Sequence, residues 1–535
     1  MKSRTVLILA VFCLFLFSAQ AQKNFDEKLI DAAVENGKLA QEGYVRSLLF
    51  VNGWLTHTDP STGLIPTNLD KSVDIWEPHN SAADNWAFMV LTTYLLDKDL
   101  YHGKMLDMLN TERKLTSRVK SLPDTWSFSK KGFKSETPDM NWVIFGTAEY
   151  MKDGIMPLCE YIGDSPWRDR MMEMLNDLPE YYTLFKDVDQ LGNYKVASEE
   201  VNGDMLQTLV RTYWITGQKK YLDRAIVIGD YYMLGERDLS NLKYLRLRDH
   251  GCEIIGGLSE LYVTLNYVNP AKKRTYQEPL HRLLDRVLEV GRNQDGLFYN
   301  GVNASTGEVA DSGISDNWGY VYDAFYAVYL VDKTENYRQS FLSMLKNLNL
   351  KYRNFAWEGK SHDGYADALE GGINLYNREP AGDLKEWIDS EMQVMYRMQK
   401  PDGIIGGWHG DGNFARTAIM YSLWKTRGAT ITPWRSDVIL GAEKGDNETC
   451  FVLTAAKDWE GRLLFDAQRH KTNMGLPIDY PRINQFPEWF TVQKEKQYTI
   501  TSSNMKISGK YKGGDLLKGI PVELKEGEQL ILSVR

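Results

Sequence analysis

The sequence predicts a mainly α-helical protein in which helical hairpins close into an (α/α)6 or (α/α)7 toroid, followed by a small antiparallel β domain. Three observations support this prediction: two kinds of helix-length segment alternate, polar helix starts recur at the spacing of one hairpin, and the texture changes near residue 430. A chain of 535 residues is too long for one ordinary hydrophobic core. Its length fits one large closed architecture with an additional small domain.

The two kinds of helical segment alternate from residue 26 to about residue 427. Segments such as "KKYLDRAIVIGDYYM" are amphipathic and charged along one face, which is typical of outer helices. Segments such as "SDNWGYVYDAFYAVYL" are apolar nearly all round after a polar start, which indicates buried inner helices. Their starts recur every 45 to 70 residues or so, the length of one hairpin, near Asp84, Asp139, Asp204, Asp249, Asp316, Asp363 and Asp411.

The β domain is predicted from residue 430 to 535, after a toroid over residues 22–429. Segments such as "CFVLTAA", "QYTITSS" and "IPVELKEGEQLILSVR" are short, β-branched and alternating, with Gly and charged turns between them. This pattern is typical of antiparallel strands.

The first 21 residues have the pattern of a secretory signal peptide cleaved after Ala21, with Lys2 and Arg4 ahead of an apolar run. We therefore expect a periplasmic or secreted protein without a membrane span. Cleavage would change the formal charge from −9 to −11, since two positive charges are lost. A chain this acidic is a poor partner for nucleic acid, whose phosphates repel it.

Neither a cofactor nor a metal is expected. The remaining cysteines, Cys159, Cys252 and Cys450, are odd in number and widely spaced, so we expect buried thiols rather than disulfides or a metal knuckle. Histidines near the helix starts lack HExxH-type ligand spacing.

All inner helices of a toroid begin at the same rim, so their first residues should converge on one central depression. The residues expected there are Asp84, Trp86, Asp139, Trp142, Glu199, Glu200, Asp204, Arg248, Asp249, His250, Glu253, Asp316, Trp318, His362, Asp363, Asp367, His409, Asp411 and Arg416. So many acids, aromatic residues and histidines at one rim favour carbohydrate chemistry.

Roles can be divided within this set, although each residue also has a structural interpretation. We predict catalytic roles for Asp139, Glu200, Asp204, Glu253 and Asp316, because glycoside hydrolysis needs a protonated carboxyl and a second carboxylate. We predict substrate-binding roles for Asp84, Trp86, Trp142, Arg248, His250, Trp318, His362, Asp363, His409 and Arg416. The alternatives are N-capping for the acids and plain packing for the tryptophans. Acids at i and i+4, such as Glu200 and Asp204, repel each other, which favours function for at least one such pair.

The phrase "YWITGQKKYLDRA" from Tyr213 to Ala225 follows an acid-bearing inner helix. It resembles a phrase of the six-hairpin glycosidase superfamily, and the overall layout is most like glycoside hydrolase family 154. This resemblance implies β-glucuronidase activity. A weaker likeness to the unsaturated glucuronyl hydrolases lies in the acids at successive inner helix starts, to which Asp84 and Asp139 could correspond.

A uronic acid substrate needs a cation for its carboxylate, because a bare charge buried among acids would be prohibitive. Arg248 and Arg416 are the guanidinium groups expected at the rim, unless they form salt bridges to Asp249 or Asp411. Together with the resemblance to family 154, these residues favour a secreted or periplasmic, exo-acting β-glucuronidase that removes uronic acid from oligosaccharides derived from polysaccharides.

Two alternatives stay open. A polysaccharide lyase would cleave uronate-containing glycans by β-elimination, with Tyr320 or His250 as base and Asn317 beside the carboxylate. A non-catalytic glycan-binding protein would keep the tryptophans and lose nothing when its acids are replaced.

Overall fold

The computed structural model describes residues 25–182, 198–235, 237–249 and 251–535; the predicted signal peptide lies outside them. These residues form two compact units. The helical unit contains residues 46–420 and 469–487, and the β unit contains residues 25–45, 421–468 and 488–535. This division departs from one linear boundary near residue 430, because residues 469–487 return to the helical unit. No described helix is both long and apolar enough to span a bilayer.

Inner and outer helices alternate through the helical unit, as the pattern predicts. The seven inner helices are, in order, Pro78–Trp86 (π-helical) with Ala87–Leu96; Met140–Glu149, Tyr150–Ile155 (π-helical) and Met156–Ile162; Ser198–Thr216; Cys252–Val268; Trp318–Asp332; His362–Arg378; and Gly410–Lys425. The outer helices are Glu27–Leu55; Lys98–Leu100, Tyr101–Met105 and Leu106–Thr116; Pro166–Asp177; Lys219–Met233; Pro270–Val290; Glu335–Lys351; and Leu384–Tyr396. Residues of Glu27–Leu55 before Arg46 and of Gly410–Lys425 after Met420 belong to the β unit.

Glycines allow the inner helices to approach closely enough to close the ring. A Cβ on Gly319 of inner helix 5 would lie 2.2 Å from the Cα of Gly371 in inner helix 6. A Cβ on Gly412 of inner helix 7 would lie 2.1 Å from the carbonyl oxygen of Asp84 in inner helix 1. Only glycine fits such contacts. The predicted toroid is confirmed, with seven inner helices among the described residues.

Residues 479–485, here called the plug segment, lie among the inner helices. Arg482 binds Glu160 of inner helix 2 through two hydrogen bonds of 3.0 and 2.5 Å. Tyr480 donates to Glu260 of inner helix 4 at 3.1 Å. The backbone N–H of Asn484 donates to Glu370 of inner helix 6 at 2.7 Å. The plug segment therefore fills the centre of the ring.

Strands of two to six residues connect the helices of the helical unit, and strands of two to seven residues build the β unit. Those of the helical unit are β1 Ile75–Trp76, β2 Ser117–Val119, β3 Leu122–Pro123, β4 Trp126–Ser127, β5 Gly132–Phe133, β6 Leu245–Arg246, β7 Tyr299–Val302 and β8 Val309–Ile314. Those of the β unit are β9 Thr430–Thr432, β10 Val438–Lys444, β11 Thr449–Ala455, β12 Trp459–Leu464, β13 Asp466–Ala467, β14 Thr491–Val492, β15 Gln497–Ser502, β16 Gly509–Lys512, β17 Ile520–Leu524 and β18 Gln529–Val534.

Two antiparallel sheets dominate the β unit, which confirms the predicted C-terminal β structure. Their strand orders are β10-β11-β18-β15-β16 and β17-β12-β9. Side chains from both sheets, among them Phe451, Leu463 and Leu532, share one core. Burial alternates along β17, as expected for a strand with one face on a core. Within this unit the N-terminal helix packs on the larger sheet, where Asn36 donates to the carbonyl of Ala442 at 2.9 Å.

We expect Gly319→Ala to destabilise the helical unit by about 2–3 kcal/mol, because the methyl group meets backbone that cannot move aside. Gly103→Ala is the matched control: a Cβ there meets nothing within 4 Å, and alanine favours the helix. Urea unfolding of both variants measures the difference. Equal stability of Gly319→Ala and the parent chain would show that the contact between inner helices 5 and 6 is looser than described.

Candidate active site

A cavity of about 350 Å³ lies at the rim of the inner helices. Its lining contains many more carboxylates than cations, and it draws on every inner helix or the loop before it. The lining residues are His79, Asn80, Asp84, Phe145, Glu149, Lys152, Asp153, Glu200, Arg246, Asp249, Glu253, Asn317, Tyr320, Asp363, Asp367, His409, Asn413, Arg416, Ile483 and Asn484. The convergence predicted from the sequence is thus present.

The relative heights of the helices decide which residues reach the cavity. Gly146 of inner helix 2 lies against Pro78, and Gly154 lies against Ala82 and Ala83 of inner helix 1. Asp153 is therefore level with Asp84, while the start of inner helix 2 stands about three and a half turns above that level. Both helices are π-helical at this height, a geometry frequent at functional sites.

Lys152 is the first of two buried cations that organise the acids. Its side chain is 1% exposed, and its Nζ lies 2.6 Å from Asp153 Oδ1, 2.8 Å from Glu253 Oε2 and 4.0 Å from Asp204 Oδ1. Burial opposes the charged amine, but the surrounding carboxylates outweigh it and hold the pKa of Lys152 well above its usual range. One ammonium group thus joins acids from inner helices 2, 3 and 4.

Arg416 is the second buried cation, and its side chain is 4% exposed. It binds Asp367 at 2.6 Å, lies 2.9 Å from Glu370 Oε2, and donates to Asn484 Oδ1 at 2.9 Å. Tyr320 completes this group by donating to Glu370 at 2.7 Å and to Asp367 at 3.0 Å. The predicted rim arginine is therefore an internal ion-pair partner, although not of Asp411.

Several carboxyls of the cavity favour the protonated form. Burial, followed by the charges of Asp153 and other acids, raises the pKa of Asp84 well above its usual range. Burial and the charges of Asp204 and Asp153 do the same for Glu149. Burial and the charge of Asp367 raise the pKa of Asp363, which accepts a 2.9 Å hydrogen bond from Asn413. The cavity can therefore hold proton donors beside ionised carboxylates.

Asp204, a predicted catalytic residue, lies behind the cavity wall with its side chain 0% exposed. Neither of its oxygens makes a hydrogen bond within the described chain, and burial raises its pKa well above the usual range. Glu149, Asp153 and Asp204 place one carboxylate oxygen each within 4.8 Å of one another, close enough for a metal ion. Lys152 already brings a positive charge to the same place.

Asp411 has a structural role. Its buried carboxylate accepts hydrogen bonds from the backbone N–H groups of Ile405, Gly406 and Gly407 and from the indole of Trp54. His362 Nε2 lies 3.0 Å from the same carboxylate. Burial alone would raise the pKa of Asp411, but His362 and the backbone donors outweigh it and lower that pKa below 3.8. His362, predicted to bind substrate, supports this loop instead and does not line the cavity.

Two predicted catalytic acids also lie outside the cavity lining. Asp139 is exposed and caps inner helix 2, accepting from the N–H groups of Asn141 and Trp142 at 3.1 and 3.4 Å. It stands above the cavity because inner helix 2 begins too high, and Glu149 and Asp153 of the same helix take its place. Asp316 is buried just before inner helix 5, where burial raises its pKa well above the usual range.

The predicted tryptophan platforms are corrected by their burial. Trp318 is 0% exposed and packs on Trp387, and Trp86 packs on Tyr150 and Trp167. Neither ring has a face accessible to a sugar, because each points into the helical core rather than upward from the rim. Trp142 is half-buried against His79, and its indole donates to Thr125 at 3.2 Å. It lies beside the cavity residues without lining the cavity.

Arg248 is also displaced from its predicted role, since it pairs with Glu358 at 2.8 Å and does not line the cavity. Arg246, two residues earlier, lines it instead. Glu200, Glu253, Asp84, Asp363, His409 and Arg416 lie where they were predicted. His250 lies outside the described residues.

The residues that sequence reasoning missed fall into two groups. Glu149, Lys152 and Asp153 could have been suspected, because "AEYMKDGI" places charges inside an otherwise apolar inner segment. Ile483 and Asn484 follow most of the β strands in sequence, and no local pattern connects them to a helical rim.

Comparisons with known proteins complete this description. No protein-family model matches the sequence, and no curated relative matches it. Among solved structures, an α-1,6-mannanase from Salegentibacter sp. HEL1_6 is similar with a TM-score of 0.38 and 10% identity, over 72% of this chain and 98% of that one. A glycosyl hydrolase family 88 protein from Bacteroides vulgatus has a TM-score of 0.36 and 14% identity, over 52% and 89%. A D-mannose isomerase has a TM-score of 0.37 and 14% identity, over 60% and 86%.

We expect Asp411→Asn to lower the free energy of unfolding by about 2–3 kcal/mol at pH 7, because several donors lose a charged acceptor. The folded-state pKa is below the ordinary 3.8, so the carboxylate stabilises the fold above that value and loses this effect as pH falls through the lower one. Denaturant titrations at pH 7 and at pH 3 should therefore show the difference shrinking with acid.

Asp402→Asn is the control for this measurement, since the exposed Asp402 caps the same loop through one backbone hydrogen bond to Ile404. A constant difference between Asp411→Asn and the parent chain at both pH values would contradict the role given to the charge.

Proposed function

We propose that this protein is a glycoside hydrolase that uses Asp84 as proton donor and Asp153 as the second carboxylate. The observation that carries the proposal is the contrast between these two acids within one cavity. Asp84 has the surroundings of a protonated carboxyl, whereas Asp153 is held by the Lys152 ammonium group and the Asn484 amide. Glycoside hydrolysis requires such a pair.

Asp84 is suited to donate a proton to the glycosidic oxygen. Its carboxyl is half-buried, lines the cavity and makes no hydrogen bond to the described chain. Burial and the charge of Asp153 raise its pKa well above the usual range. An acid whose pKa lies closer to neutral pH stays protonated until the leaving oxygen needs the proton.

Asp153 is suited to act as nucleophile or as the base that activates water. Its Oδ1 is held by Lys152 at 2.6 Å and by the Asn484 amide at 2.7 Å. Its Oδ2 makes no hydrogen bond within the described chain, so one oxygen stays available to the substrate. The acids around it would also stabilise the positive charge that develops on the sugar ring in the transition state.

We propose a uronic acid as the sugar, in line with the resemblance to glycoside hydrolase family 154. Lys152 and Arg416 are committed to internal acids, so the argument rests on Arg246. Its side chain is 30% exposed, it lines the cavity, and its nearest ion-pair partner, Asp249, is 3.7 Å away. Such a guanidinium group can receive a sugar carboxylate through two hydrogen bonds.

An exo-acting β-glucuronidase is the most specific form of this proposal. A cavity of about 350 Å³ is at the small end of ligand pockets, which suits one terminal sugar better than a long chain. The signal-peptide pattern supports action on extracellular or periplasmic oligosaccharides.

The environment of Tyr320 disfavours the lyase alternative. Its hydroxyl already donates to two carboxylates, and burial with those charges raises its pKa well above the usual range. A phenol that resists ionisation is a poor base for β-elimination.

Asp84→Asn and Asp153→Asn should each lower kcat/KM by about 100- to 10,000-fold, because each removes one half of the acid-base pair. The measurement is release of 4-nitrophenol from a panel of 4-nitrophenyl β-glycosides. Asp139→Asn is the matched control and should stay close to the parent value, since Asp139 lies outside the cavity. Normal turnover by either cavity variant would remove that residue from the mechanism, and binding without turnover by the parent chain would favour a glycan-binding protein.

Arg246→Gln should lower kcat/KM for 4-nitrophenyl β-D-glucuronide by about 10- to 100-fold, because a charge-assisted contact is lost. Turnover of the neutral glucoside should change little. The same two substrates, measured side by side on the parent chain, test the sugar itself: a preference for the glucoside would overturn the uronic acid proposal while leaving the two-carboxylate mechanism in place.

A further inference from the structure

One side chain of the plug segment, Asn484, contacts both ion-pair groups of the cavity, the one around Lys152 and the one around Arg416. Its Nδ2 donates to Asp153 Oδ1 at 2.7 Å, and its Oδ1 accepts from Arg416 Nη1 at 2.9 Å. Asn484 itself is 3% exposed and lines the cavity floor. One amide thus connects the cation of one group with the proposed base of the other.

The backbone of Asn484 is fixed independently of that amide. Its N–H donates to Glu370 at 2.7 Å, and Arg482 just before it is held by Glu160. Its φ of +61° lies in the left-handed region, where asparagine and glycine are the favoured residues. The side chain of Asn484 therefore projects from a rigid backbone in a fixed direction.

We propose that Asn484 is a positioning residue for the reaction, one that orients the Asp153 carboxylate through its amide hydrogen bond. This inference rests on the role proposed above for Asp153. Because Arg416 can only donate, the amide oxygen must face it, and the NH2 group must then face Asp153. An amide can satisfy both neighbours at once, whereas a carboxylate at this position would repel Asp153.

The hydrogen bond acts on one oxygen of Asp153 and leaves the other toward the cavity. Its effect adds to that of Lys152 and opposes the acids that face Asp153: Asp84 from inner helix 1, Glu149 from inner helix 2, Asp204 from inner helix 3 and Glu253 from inner helix 4. The amide is a neutral donor, so it binds the same carboxylate oxygen as Lys152 without adding a charge.

Asn484→Gly tests this inference, because glycine keeps the backbone conformation and removes only the amide. We expect the acidic limb of the pH profile of kcat/KM to move upward by about one to two pH units, since ionised Asp153 loses a stabilising donor. The drop in kcat should be largest at acidic pH and should shrink as pH rises. Asn484→Asp should lower kcat further at all pH values. An unmoved acidic limb in Asn484→Gly would overturn the inference.

Gln485→Ala is the matched control, since Gln485 binds Asp479 and Arg378 and makes no contact with Asp153. It should destabilise the plug segment without moving the acidic limb. If both variants move the limb equally, Asn484 acts only through the plug segment, and the positioning role is refuted.

A crystal structure of Asn484→Gly separates this inference from the proposed function. The Asp153 carboxylate should rotate about its Cβ–Cγ bond once Lys152 alone binds it. This result does not depend on which substrate the protein uses. An unrotated carboxylate would count against the positioning role. If Asp153→Asn stays active while the carboxylate does rotate, then the proposed function fails and the positioning geometry stands.

Discussion

The acidic cavity depends on two buried cations, Lys152 and Arg416, that neutralise carboxylates around it. Lys152 binds acids of inner helices 2 and 4, and Arg416 of inner helix 7 binds two acids of inner helix 6, so each cation also joins elements of the ring. Buried ions cost several kcal/mol each unless their geometry and hydrogen bonds are nearly complete. The inner helices help, because their N-termini all face the same rim and their dipoles favour negative charge there. The acidic cavity is thus compatible with the fold only when the ring is closed.

The plug segment adds a second constraint, because the cavity floor comes from residues far along the chain. Asn484 and Asp153 are 331 residues apart, yet their contact completes the surroundings of the proposed base. Arg482 and Arg211 lie below that floor and bind Glu160 and Glu260, so the charged interior continues beneath the cavity. Rigid support of this kind is what a catalytic carboxylate needs, since small displacements of reacting groups lower rates strongly.

The fold was predictable because it follows from periodicity, which the sequence carries locally. The alternation of apolar and amphipathic helices predicted the ring, and the acids at helix starts predicted where the cavity would be. The height of each helix was not predictable, since it depends on contacts such as Gly146 on Pro78. That height removed Asp139 from the site and brought Asp153 into it. Trp318 shows the same limit. Its place in the sequence predicts that it lies near the rim, but the direction in which its side chain points depends on packing against Trp387.

For the proposed uronic acid substrate, the same charge distribution would set the orientation of the sugar in the cavity. The centre of the cavity, where Asp84, Glu149 and Asp153 lie together, favours positive charge and repels a carboxylate. Arg246, which also lines the cavity, lies 3.7 Å from its ion-pair partner Asp249, so an anionic sugar would gain most by placing its carboxylate there. The anomeric carbon of that sugar, which becomes positively charged in the transition state, would then lie beside the acids. Arg246 would therefore bind the sugar carboxylate, while the acids would act on the anomeric carbon. A sugar without the carboxylate would be oriented less well, although its anomeric carbon would react in the same way.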